Sequence, residues 1–108
     1  MTKLFSITFV ALGLLSACGS AVPAPSSAQL TAAREGEPDV TMADLERGRS
    51  TYVARCATCH ALQEPKAKPA DKWPGIVEEM RTVHKAKLTD DEARDVVRYL
   101  TSASRVSG

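Results

Sequence analysis

The sequence predicts a small all-α domain of about three helices, arranged around one bound group and preceded by a disordered tether. Helical spacing is the first observation: Leu45, Gly48 and Tyr52 share one face, as do Ile76, Val77, Met80 and Val83, and then Ala93, Val96, Val97 and Leu100. The second is a capping-box spacing at Thr89 and Glu92, while nothing reads as a strand followed by a helix. The third is a shortage of core material. Only Trp73, Phe5, Phe9, Tyr52 and Tyr99 are aromatic in 108 residues, and both phenylalanines fall within the first ten. So small a core is marginal unless something apolar completes it. The net charge of +1 argues against nucleic acid as a partner.

Taken in order, the chain opens with Lys3 and an apolar run from Leu4 to Leu15, ending in small residues, as a secretory signal does. The run falls short of the roughly 20 residues of a membrane span. Leu15-Ser16-Ala17-Cys18 resembles a bacterial lipobox. That resemblance implies a signal peptide over residues 1–17 and lipidation of Cys18 as the first mature residue; the plainer alternative is an ordinary signal with Cys18 lost or unpaired. Acyl chains anchor firmly, at about 0.8 kcal/mol per buried methylene. Gly19 and Ser20 follow without the Asp that retains many such proteins at the inner membrane, so the resemblance leaves both the inner and the outer membrane open. Residues 18–40, rich in Ala, Ser, Pro, Gly and charge, read as the lipidated flexible tether, either a spacer or a leash that lets the domain sample a volume above the membrane.

The folded domain is expected over residues 41–108. Thr41 or Asp44 caps its first helix. A glycine inside that helix costs about 1 kcal/mol against alanine, which makes sense if another helix crosses closely at Gly48. The helix leads into Cys56-Ala57-Thr58-Cys59-His60. This C-x-x-C-H pattern reads as attachment of a c-type haem: two thiols add across the porphyrin vinyl groups, and His60 binds the iron as proximal ligand. A thioredoxin-like pair would need a βαβ setting, a zinc site would need a fourth ligand at regular spacing, and a Cys56–Cys59 disulfide would leave His60 unexplained. Covalent haem also supplies the missing apolar volume.

A polar stretch with Pro65 and Pro69 follows, and then a helix capped by Asp71, with Pro74 in its first turn, running to about His84. Trp73 can pack against the haem or donate its indole N–H to a propionate; a plain core Trp is the alternative. Met80 is the expected distal ligand, with His84 or an open iron as alternatives and a gap-filling core role as the bland reading of Met80. Asp90, Asp91 and Glu92 suit the positive end of the last helix, while Arg94, Arg98 and Arg105 are expected to point away or lie near its end.

At Gly48, Tyr52, Cys56 and the stretch Val96-Val97-Arg98-Tyr99-Leu100 the sequence resembles class I cytochromes c over about residues 42–102. The resemblance implies that the first and last helices cross through the glycine and an aromatic residue, and that a proline-loop carbonyl, from Pro65 or Pro69, orients the haem histidine. It departs from the family in placing Met80 within a helix; some compact cytochromes show a Trp, Val and Met at the spacing of Trp73, Val77 and Met80. The expected function is a monohaem, membrane-anchored electron carrier of the bacterial periplasm. No enzymatic constellation accompanies the motif, since Glu78 and Glu79 diverge on a helix. Lys66, Lys68, Lys72, Arg81, Lys85 and Lys87 would steer an acidic redox partner or form a solvated face. Two alternatives remain at this point: a haem domain with an exchangeable sixth position for gas binding or peroxide reduction, and the electron-transfer subunit of a larger dehydrogenase or oxidase.

Overall fold

The structure, a computed structural model, describes residues 22–56 and 62–106. The signal segment and Cys18, and Cys59 with His60, lie outside the described residues. The described residues form four α-helices: α1 (Ser27–Gly36), α2 (Met42–Cys56), α3 (Trp73–Thr82) and α4 (Asp90–Arg105). Two 3-10 turns, Pro65–Ala67 and Ala70–Lys72, lead into α3, and there is no strand among the described residues. The all-α class is as the sequence predicts.

Local chemistry starts the two principal helices. At α2 the Thr41 hydroxyl accepts from the Asp44 N–H at 3.2 Å while the Asp44 carboxylate accepts from the Thr41 N–H at 2.9 Å. The backbone bond from Thr41 is the main reason the Asp44 carboxyl lies below its ordinary range. At α4 the Thr89–Glu92 box closes reciprocally, at 3.1 Å each way. Asp90, Asp91 and Glu92 then fill the first turn.

α2 buries Leu45, Gly48 and Tyr52 against α4, whose buried face is Ala93, Val96, Tyr99, Leu100, Ser102 and Ala103. The close crossing expected at Gly48 is present. A Cβ there would sit 2.0 Å from the Asp95 carbonyl oxygen and 2.9 Å from the Tyr99 Cβ. The α4 face is turned slightly from expectation: Tyr99 is wholly buried and Val97 only half-buried. Arg98 does not point away. It is only 21% exposed and pairs with Asp95 at 3.2 Å and with Glu37 at 2.6 Å.

Residues 22–40 correct the reading of a flexible tether. The Ser26 hydroxyl accepts from the Gln29 N–H at 3.1 Å to start α1. Gln29 is 2% exposed, and its amide donates to the Tyr99 carbonyl at 3.1 Å and the Ser102 hydroxyl at 3.0 Å. Val22 and Val40 are buried at either end of the segment. Arg49 donates to the Val22 carbonyl at 3.0 Å, and the Tyr99 hydroxyl donates to the Pro23 carbonyl. A polar composition predicts disorder because it offers little apolar area to bury; here directed hydrogen bonds from a few side chains clasp the segment to α2 and α4 instead.

Candidate functional site

α2 delivers Cys56 in its last turn, half-buried and facing a cleft between α2, α3 and α4. Burial pushes its thiol up from the ordinary value. One turn earlier, the Tyr52 hydroxyl donates to the Gln63 carbonyl at 2.6 Å, tying the chain beyond the motif back to α2. Burial raises this phenol to about 12, so it stays a donor throughout the physiological range.

Trp73 opens α3 and is 2% exposed. Its ring meets Tyr52 edge-on, with centroids 6.4 Å apart and planes at 76°. Its indole N–H donates to the Pro65 carbonyl at 2.8 Å. The donor that the sequence reading offers to a propionate is therefore engaged by the proline turn. Pro65 is buried beneath it, whereas Pro69 is exposed and its carbonyl accepts from the Lys72 N–H at 3.0 Å.

α3 differs from expectation at both ends. Asp71 lies in the preceding 3-10 turn, and Lys72 occupies the cap position with no side-chain cap bond. The helix stops at Thr82, so Val83 leaves the apolar face and is 64% exposed. Lys85 then takes a left-handed backbone, φ 57°, and the Ala86 N–H donates to the Met80 carbonyl at 2.9 Å. A left-handed residue of this kind is a common way to end a helix and reverse the chain. Leu88 thereby returns to the cleft, and Arg55 secures the connection by donating to the Lys87 carbonyl at 2.7 Å.

The resulting cleft is lined by Cys56, Met80, Trp73, Tyr52, Ile76 and Val77, and completed by Leu62, Gln63, Leu88 and Leu100. Of the two candidate distal ligands, Met80 lines it; His84 is exposed and lies outside it. The residues fit a covalently held haem. A thiol and a thioether share one otherwise apolar cleft with two aromatic rings, which suits a large apolar ring with an iron centre. Leu88 was legible as the hydrophobic-staple position before the Thr89 cap, paired with Ala93; Leu62 had no local signal.

The basic cluster loses one member. Arg81 pairs with Asp90 at 2.7 Å and Glu78 at 3.4 Å, bracing α3 against the start of α4, and the Asp90 hydrogen bond leads the upward shift of its guanidinium. Lys66, Lys68, Lys72, Lys85 and Lys87 are exposed. Among the described residues no helix is long and apolar enough to cross a membrane.

A family model described as dihaem cytochrome c matches residues 52–108, just over half of the chain. No curated protein and no solved structure matches. The matched family is named for two haems, whereas the sequence reading expects a class I monohaem domain. This sequence contains one C-x-x-C-H, at residues 56–60, and its only other cysteine is Cys18.

Proposed function

The chain belongs to the dihaem cytochrome c family, a c-type cytochrome domain with covalently bound haem c that transfers electrons, and we propose that it works as a monohaem electron carrier anchored in the bacterial periplasm. The observation that carries this reading is the cleft, where Cys56 and Met80 meet among apolar side chains while His84 stays at the surface.

In this reading Cys56 and Cys59 hold the haem, His60 is the proximal iron ligand and Met80 the distal one. When bound, the haem supplies a centre that gains and loses one electron. The chain's own residues position and shield it. Trp73 and Tyr52 exclude water from one side, and their hydrogen bonds to Pro65 and Gln63 hold the segment that follows the motif. A carbonyl of the proline-containing turn would fix the orientation of His60. The thioether and the apolar lining both favour a relatively high potential. Of the adjacent carboxylates on α3, Glu78 pairs with Arg81 at 3.4 Å and Glu79 is exposed beside it. We read the protein as a carrier rather than an enzyme.

Lipidated Cys18 anchors it to the inner or outer membrane, and the exposed lysines favour an acidic redox partner. The test is the haem-to-chain ratio of the purified holoprotein, together with its response to carbon monoxide. The reading expects a ratio of one and no spectral change at neutral pH. A ratio of two contradicts the monohaem assignment, and a strong carbon monoxide response moves the function to ligand binding or peroxide reduction at an exchangeable sixth position.

A further inference from the structure

The clasp of residues 22–40 changes what a lipid on Cys18 would do. A flexible 18–40 stretch would let the domain range up to ~80 Å from its anchor, at ~3.5 Å per residue. In the structure the chain is already docked at Val22, which is 5% exposed. Arg49 of α2 holds the Val22 carbonyl at 3.0 Å, the Tyr99 hydroxyl of α4 holds the Pro23 carbonyl, and Gln29 is buried with both bonds of its amide made to α4. Four residue steps separate Cys18 from Val22, which at full extension span at most ~14 Å.

The docking point also lies on the cofactor side of α2. Arg49, Val53 and Cys56 follow at i, i+4 and i+7, so they share one stripe of the helix. Val53 is one of two large apolar side chains exposed among the described residues, at 39%. At 1.5 Å per residue, Cys56 lies ~10 Å along the helix from Arg49.

Resting on the lipidation reading above, we infer that the folded domain is held against the bilayer surface by a link of a few residues, with the Arg49–Val53–Cys56 side of α2 near the membrane, and that it exchanges electrons with a protein of the same membrane. The exchange partner is a membrane protein presenting an acidic face close to the headgroups. A soluble protein ranging through the periplasm does not fit a carrier held so low.

The experiment uses the full-length holoprotein on vesicles containing a headgroup-labelled fluorescent lipid whose emission the haem quenches. The comparison variant carries a 20-residue Gly/Ser insertion after Ala21, which adds ~25 Å of r.m.s. reach. The inference expects strong quenching by the parent protein and at least a ~2-fold loss on insertion. Hydrogen exchange on the parent should show amides 30–36 slowed at least ~100-fold against an unstructured peptide. Equal quenching by parent and insertion variant, or unprotected amides in that segment, overturns the inference while leaving the anchor in place. A mature protein whose mass shows no acyl chains overturns the anchor reading itself, and the mass spectrum tells that failure apart from the others.

Discussion

The α2–α4 crossing and the cleft beside it share two helices, with α3 added at the cleft, yet they are stabilised differently. At the crossing the two backbones approach until only Gly48 fits, and Leu45, Val96, Tyr99 and Leu100 have no measurable exposure. At the cleft Cys56, Leu62, Ile76, Met80 and Leu88 are only half-buried. One region is complete within the protein; the other presents apolar surface to a cofactor. A covalent group lets a chain this short leave part of its core to be supplied, as the scarcity of aromatic residues requires.

Breaking the crossing should have the largest effect. Gly48→Ala places a methyl 2.0 Å from a backbone oxygen that cannot move without displacing α4. The expected loss is about 3 kcal/mol or more, beyond the gain of about 1 kcal/mol in helix propensity. Chemical denaturation of the holoprotein measures it, and a stability within error of the parent would refute the crossing.

Gln29→Ala comes next. It removes two buried hydrogen bonds and leaves a cavity where α1 meets α4, for an expected loss of about 1–3 kcal/mol. Exchange protection should fall first in α1.

The comparison sharpens if the covalent haem is withheld. In a Cys56→Ala/Cys59→Ala variant, the amides of residues 96–103 should remain the slowest to exchange, and those of α3 should lose the most protection. Uniform loss across both would mean that the crossing depends on the cofactor as much as the cleft does.

The smallest effect belongs to Glu37. The Arg98 hydrogen bond leads the lowering of its carboxyl from 4.5. A carboxyl depressed in the folded state adds stability above its unfolded value and loses it as pH falls through the folded one. Glu37→Gln should therefore cost at most about 1 kcal/mol near neutral pH, and urea titrations should show the gap closing as the pH falls below 4.5.

Much of the crossing was legible because its signals are local or periodic. The Thr89–Glu92 box, the Leu45–Gly48–Tyr52 face and the cost of a helical glycine all point to two helices in close contact. The cleft was partly legible: Met80, Trp73 and Cys56 were chosen from motif and spacing, while Leu62 enters through the chain path alone. α1 was not legible as structure. Its one buried side chain is a glutamine whose partners lie 70 and 73 residues away, and hydropathy assigns such a residue to solvent. Val83 was misplaced for a related reason: the helical period continues past Thr82 in sequence, whereas the left-handed backbone at Lys85 ends the helix in space.

The central claim is that the cleft seats a haem whose iron takes Met80. The far-red absorption of the ferric holoprotein, compared with Met80→Ala, tests it most directly. A weak sulfur-to-iron charge-transfer band in the parent, lost in the variant, is the expected result. A parent protein that is low-spin without that band would instead assign the iron to His84, and a high-spin parent would leave the sixth position open; either spectrum would contradict the claim.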